Sequence, residues 1–190
     1  MVNHEHNLCC GNCPMTLGKC IKEKDISNDP VTKAELKEQI IKIAKMVYEK
    51  NKYLYEIEVH EQCIAAYFWH YFVNEYSEKC YSNYDIDIEY NRIGDDVKKT
   101  VNSPDDEEKQ IRPDMIIHKR GCSGNNFAMV EFKTSWNKTE SNKNDDYSKL
   151  EKTTNNKGNL KYKYGISFIF CKNINDSCIT FFVNGKKCDD

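Results

Sequence analysis

Two stretches of the chain set ionisable side chains against apolar runs: Arg112-Pro113-Asp114-Met115-Ile116-Ile117 and Val130-Glu131-Phe132-Lys133. A charge at the edge of an apolar strand is costly unless it has a partner or a task. Glu131 and Lys133 are two residues apart, so on a strand both side chains take one face and Phe132 takes the other. If the two stretches are hairpin neighbours, Asp114 reaches that same face. Two carboxylates and an ammonium then converge at one strand edge. Hard oxygen ligands of this kind suit Mg2+ or Mn2+, which keep several waters and bind phosphate oxygens. Such an ion lowers the pKa of a bound water and offsets charge developing on a phosphate. An ammonium beside it orients that water or stabilises the transition state. The competing account is a structural ion pair, because Asp…Glu-x-Lys also arises by chance in charged hairpins.

Other residues could complete or border such a site. Glu61 shares a helical face with Ile64, Ala65, Phe68 and Phe72. An acid on an apolar face fits a metal shell, although helix starts also favour acids through the macrodipole. Asp85, Asp87 and Glu89 alternate along a strand, and simple exposure accounts for them. Asn91 and Arg92 are phosphate contacts or strand-end residues. His118, four residues after Asp114, falls on the same strand face and could touch substrate or be a satisfied structural histidine. Lys119 and Arg120 are phosphate contacts or hairpin-end charges. Lys149 is a substrate contact or a surface partner of Asp145. Trp136 could stack on a base, with packing as the alternative.

The elements that must position these groups can be read from spacing. Thr32-Lys33-Ala34-Glu35 has the spacing of a capping box, and Leu36, Ile40, Ile43, Ala44, Val47 and Tyr48 recur behind it, which predicts a helix over 33–51. A second helix is expected over 56–76. Tyr84–Tyr90 alternates strictly and reads as a strand with one solvated or functional face. Residues 93–110 read as a polar acidic loop. Strands over 112–118 and 127–133 follow, joined by the turn-rich Gly121–Asn126. Residues 137–145 are expected to loop out before a helix over 146–154, and strands at Tyr164–Phe170 and Ser177–Val183 end the chain. The order α-α-β-β-β-α-β-β defines one α/β layer arrangement. Residues 1–30 read as a Cys-rich N-terminal extension and 31–190 as a single α/β domain.

The Pro-Asp…Glu-x-Lys pattern on a hairpin between two helices resembles the PD-(D/E)xK phosphodiesterase superfamily. The resemblance covers residues 56–170 and implies a restriction-endonuclease-like αβββαβ core, a mixed central sheet flanked by helices, with the helix over 33–51 as an addition. The chain is also similar to bacterial members carrying an EYNR…PDxxxHxRG…ExK…DxxKL series. Here those stretches are Glu89-Tyr90-Asn91-Arg92, Pro113-Asp114…His118-Lys119-Arg120-Gly121, Glu131-Phe132-Lys133 and Asp146-Tyr147-Ser148-Lys149-Leu150. The resemblance implies a metal-dependent nuclease. Asp114 and Glu131 are its metal ligands, Lys133 its lysine and Glu61 its additional helix carboxylate. By the same resemblance, the Glu89-Tyr90-Asn91-Arg92 stretch implies a place for Glu89 at the rim of the site. The expected substrate is nucleic acid, DNA ahead of RNA, and a homodimer would suit cutting of both strands. The alternative is a nucleic-acid-binding or protein-interaction domain on the same fold with its chemistry lost.

Composition bounds these readings without deciding among them. The 190 residues fit one domain, and the low hydrophobic content of 39% is partly offset by 12 Tyr and 8 Phe. Apolar runs are too short to cross a bilayer and no secretory pattern opens the chain, so a cytoplasmic protein without a membrane anchor is expected. The formal charge of -2 hides an acidic stretch over 85–108 and a lysine-rich one over 133–163, and the second could hold a polyanion or simply be solvated. Of ten cysteines, Cys63, Cys80, Cys122, Cys171, Cys178 and Cys188 read as small buried hydrophobes or free thiols. Cys9, Cys10, Cys13 and Cys20, with His4 and His6 nearby, have the ligand types of a Zn2+ site but not its paired spacing. They define a third reading, a zinc-organised scaffold.

Overall fold

The structure is a computed structural model that describes residues 29–93, 96–97, 99–100, 109–121, 125–137 and 140–188. The N-terminal cysteine and histidine cluster, Cys122 and much of the 93–110 stretch lie outside the described residues. Helix α1 (Lys33–Lys50) opens on Thr32, whose hydroxyl accepts from the Glu35 amide while the Glu35 side chain accepts from Thr32. This is the capping box expected from the spacing, and it satisfies two donors that a helix start leaves free. The helix expected over 56–76 runs instead from Glu61 to Cys80, and a short helix precedes it. Helix α2 (Lys52–Glu56) ends, Glu58 takes a left-handed φ of 55°, and His60 caps the start of α3 (Glu61–Cys80). Glu61 therefore sits in the first turn of α3.

Strand β1 (Asp85–Ile88) is followed by β2 (Arg92–Ile93), β3 (Asp96–Val97), β4 (Lys99–Thr100) and β5 (Lys109–Gln110). β2 pairs with β3 and β4 with β5 as separate small ribbons, where a loop was expected. Then come β6 (Met115–His118), β7 (Asn126–Thr134), α4 (Glu140–Thr154), β8 (Tyr164–Phe170), a 3-10 turn at Ile174–Asp176, β9 (Cys178–Val183) and β10 (Lys186–Cys188). Six strands form one mixed sheet in the order β1-β6-β7-β8-β9-β10, antiparallel at every pair except β7 with β8. The protein is thus α/β, with a six-stranded mixed sheet and four helices among the described residues. No helix among them is long and apolar enough to cross a membrane.

Parallel pairing of β7 and β8 explains why α4 is longer than expected. The chain must return the length of a seven-residue strand, roughly 23 Å at ~3.3 Å per residue. A helix of 15 residues supplies roughly 22 Å at 1.5 Å per residue. Residues 140–145, expected as a loop, are its first turns. Close seating of α4 depends on Gly165, where a Cβ would lie 2.9 Å from Thr154 Cγ2 and 3.2 Å from Leu150 Cδ2.

The sheet separates two cores. Met115, Ile117, Val130, Phe132, Phe168 and Phe170 pack with α1 and α3 residues such as Ile40, Val47, Phe68 and Phe72. On the other face Ile116, Met129 and Phe182 meet Leu150 of α4 together with Leu160 and Tyr162. Alternation along β6 and β7 therefore directs Asp114, Glu131 and Lys133 toward the α4 side, as Ile116 and Met129 are. The expected alternation of β1 does not hold, since Asp87 is buried and Ile88 exposed. Five described cysteines are free thiols, and Cys63 and Cys178 are exposed while Cys80, Cys171 and Cys188 are half-buried, so none of these five is a buried core residue.

Candidate functional site

The β6–β7 hairpin brings the two charged stretches together. Met115 pairs with Val130, so the next rung outward sets Asp114 opposite Glu131. Pairing stops there because Pro113 has no amide to donate. Asp114 takes over, and its Oδ2 accepts the Phe132 amide at 2.7 Å. The side chain thus caps the end of the ladder and is held on the face that carries Glu131 and Lys133.

Each lysine of the site holds two carboxylates. Lys133 Nζ donates to Glu61 Oε1 at 2.8 Å and lies 3.4 Å from Asp146 Oδ2. Lys149 Nζ donates to Glu131 Oε2 at 2.7 Å and lies 3.3 Å from Asp146 Oδ1. The alternative reading of Lys149, a surface pair with Asp145, does not hold: its contacts are with Asp146, one turn earlier on α4, and with Glu131, across on the sheet. Glu61 comes to the site from the first turn of α3, and Lys133 holds its carboxylate. Asp146 was absent from the candidate ligands, although its place four residues before the buried Leu150 put an acid on the apolar face of α4.

The electrostatics of the two strand carboxylates are unusual. Glu131 is 2% exposed, and burial followed by the charge of Asp114 pushes its carboxyl up to about 8 against the pull of Lys149. Asp114 is raised by burial as well, with the Phe132 amide and the two lysines opposing. Burial works against the ammonium of Lys133, but Glu61 and Asp146 raise its pKa, and Glu131 and Asp146 do the same for Lys149. Both lysines therefore stay charged. Glu131 Oε1 is buried with no hydrogen-bond partner. If all ionise, the four carboxylates Asp114, Glu131, Glu61 and Asp146 leave two negative charges beyond what Lys133 and Lys149 offset. A buried, unpartnered oxygen beside a second repelling carboxylate fits a hard divalent cation. Among the described residues no group of three or more His, Cys, Asp or Glu stands as a preformed metal cluster. The fitting donors are Asp114 and Glu131, with Glu61 on Lys133.

The remaining candidates divide by distance from this pair. Glu89 borders it: its amide donates to Asp114 O at 3.2 Å, and its Oε1 accepts from Gln62 Nε2 at 3.0 Å. Arg112 lies 3.8 Å from its other oxygen. Asn91 is half-buried before β2, and Arg92 is exposed at its start. His118 and Arg120 are engaged at the opposite end of β6. His118 Nε2 lies 3.0 Å from Asp87 Oδ2, and since the carboxylate can only accept, that nitrogen carries the proton. Arg120 grips Asp87 with two nitrogens, one of them Nε at 2.8 Å, and its amide donates to Asp85. This anchoring explains why Asp87 is inside. Trp136 is used in packing, with Nε1 donating to Val59 O at 3.0 Å and its ring against Tyr55. Cys9, Cys10, Cys13 and Cys20 lie outside the described residues.

Fold and site thus define an α/β protein whose mixed sheet carries a buried glutamate beside a half-buried aspartate at one strand edge. No protein-family model, no curated protein and no solved structure matches the chain.

Proposed function

We propose that this chain is a metal-dependent phosphodiesterase, a nuclease acting on DNA, built on a restriction-endonuclease-like core of the PD-(D/E)xK kind. One observation carries the reading: Asp114 and Glu131, on neighbouring strands and one face, repel one another in a buried place where Glu131 Oε1 has no partner. The order α3-β1-β6-β7-α4-β8, counting only the strands of the main sheet, supports the likeness to an αβββαβ core.

Asp114 and Glu131 would hold Mg2+ or Mn2+, which when bound supplies a Lewis acid to a phosphate oxygen and its attacking water. The Phe132 amide occupies Asp114 Oδ2, so Oδ1 would be the oxygen left to hold the cation. Lys133 keeps its proton at Nζ because Glu61 and Asp146 stand beside it, and a fixed ammonium there offsets charge growing on the phosphate. Glu61 orients Lys133 and, with it, limits the choices open to the substrate phosphate. Two copies of the chain would place two such sites on opposite strands of a duplex.

Incubation with supercoiled plasmid, linear DNA and structured RNA, in Mg2+, Mn2+ or EDTA, tests this. Cleavage of DNA that needs metal and disappears in Asp114→Asn is the expected result. Equal cleavage by wild type and variant would assign the activity to a contaminant. A second reading, a binding domain without chemistry, is favoured by the engagement of both lysines with carboxylates, as in a structural ion network. It predicts binding of DNA with no cleavage in any metal.

A further inference from the structure

Lys149 stands on α4, and its two partners differ in kind. Asp146 is on the same helix, one turn away, so that contact at 3.3 Å is local. Glu131 is on the sheet, and the 2.7 Å bond to it spans from helix to strand. Asp146 is 6% exposed and lies between the two lysines. Given the cation site proposed above, on which this inference rests, Glu131 would face two cations that repel each other at short range. An ammonium forced off a buried carboxylate is costly unless a second carboxylate is within reach.

We propose that Lys149 is a tethered competitor for the cation site: its ammonium holds Glu131 in the metal-free protein and withdraws to Asp146 when a divalent cation binds. Asp146 is then a positioning residue, acting on the site through Lys149. The pair sets how tightly the cation is held. Without Lys149 the metal-free cluster carries one more uncompensated negative charge and takes up a cation more readily. Without the Asp146 charge the withdrawn ammonium has no seat, and the cation binds less well.

Binding of Mn2+ alone, followed by the electron paramagnetic resonance of the free ion, reads this without any substrate. Lys149→Gln should tighten Mn2+ binding by roughly tenfold. Asp146→Asn should weaken it several-fold. In the double variant the Asp146→Asn effect should fall to less than half, because its route through Lys149 is gone. Effects that simply add would overturn the positioning role, and unchanged or weaker binding in Lys149→Gln would overturn the competitor. Wild-type protein that binds no Mn2+ would instead remove the metal-site reading, and this inference with it. A measurement on wild type alone covers the case of a variant that does not fold. Labelling of Lys149 by an amine-reactive ester, read by mass spectrometry, should rise when Mg2+ is added, and a fall or no change would overturn the withdrawal.

Discussion

The two ends of β6 carry two buried carboxylate clusters on the same face of the sheet, and they are built in opposite ways. At the His118 end, Asp87 receives His118 and two nitrogens of Arg120, whose guanidinium also lies 3.6 Å from Asp85. Burial raises its carboxyl, but the hydrogen bonds and charges of those two residues more than offset this and hold it at about 2. At the Asp114 end, acids outnumber ammoniums, Glu131 is pushed up to about 8, and one of its oxygens is left without a partner. The two carboxylates thus differ in depth as well as in partners: Asp87, 9% exposed, is kept ionised by its set of donors, and Glu131, 2% exposed, is kept from ionising by fuller burial and an incomplete set. A complete cluster ties strands together. An incomplete one is stable only if something is added, which is why the second end, and not the one with the histidine, carries the functional reading.

The largest expected difference between the ends is in turnover. Asp114→Asn should lower DNA cleavage by orders of magnitude, because the proposed ligand loses its charge while the amide can still accept from Phe132. Raised Mn2+ should restore part of that loss. Lys133→Ala should lower turnover roughly a hundredfold, as for removal of one preorganised donor. Its Mn2+ affinity should stay close to wild type, and added Mn2+ should not rescue it. At the other end, Asp87→Asn should leave turnover near wild type. If Asp87→Asn abolished cleavage in a folded protein while Asp114→Asn did not, the roles of the two clusters would be exchanged.

Stability should sort the variants in the reverse direction. Removing the Asp87 charge strands His118 and Arg120, and urea denaturation should show a loss of about 3 kcal/mol, as for breaking a buried pair from one side. Arg120 is well exposed and can turn to water, so the loss should fall short of the upper end of that range. A loss that Mn2+ reverses would contradict the separation of the two clusters, since Asp87 spends both its oxygens on His118 and Arg120, which lie beyond its partner Ile116 on the side away from Asp114.

Much of the frame was legible because periodicity and capping are local. Thr32 and Glu35 marked the start of α1, and the apolar runs placed β6, β7 and β8 to within a few residues. Glu131 and Lys133 were placed together by the rule that strand neighbours two apart share a face, and Asp114 joined them on the expectation of a hairpin, which β6 and β7 form. What was missed depends on partners distant in sequence. Asp87 looked like the solvated side of an alternating strand until His118 and Arg120 enclosed it. Asp146 had only a weak signal, the apolar Leu150 four residues on, and the docking of α4 on Gly165 fixes it rather than Asp145 as the acid that faces the sheet. Strand β10 had a usable signal: Asn184-Gly185 is the dipeptide of a tight hairpin turn, and both residues do take positive φ, 53° and 77°. The two-residue strands β2 to β5 are too short to have a period at all.

The smallest expected effect places both clusters on one curve, the stability of the metal-free protein against pH in EDTA. Asp87 is held at about 2 against an ordinary 3.8, so its stabilising share is present above the ordinary value and is lost as pH falls toward 2. Glu131 is the reverse case. The unfolded chain releases that proton near 4.5 and the folded protein near 8, so between these values the folded state holds the extra proton. Stability from this group is complete below 4.5 and declines as pH rises to 8. Wild type should therefore be most stable at mildly acidic pH. Asp87→Asn should flatten the acidic limb and Glu131→Gln the alkaline one, raising stability near pH 8 by about 2 kcal/mol. The gain is expected because a glutamine has no proton to lose across this range and can still offer its oxygen to Lys149. Mn2+ should lift wild type at that pH toward the variant, since the cation favours the ionised carboxylate, and should leave Glu131→Gln nearly unmoved. An alkaline limb equally steep in Glu131→Gln would assign the proton to another group and undo the contrast between the two ends of the strand.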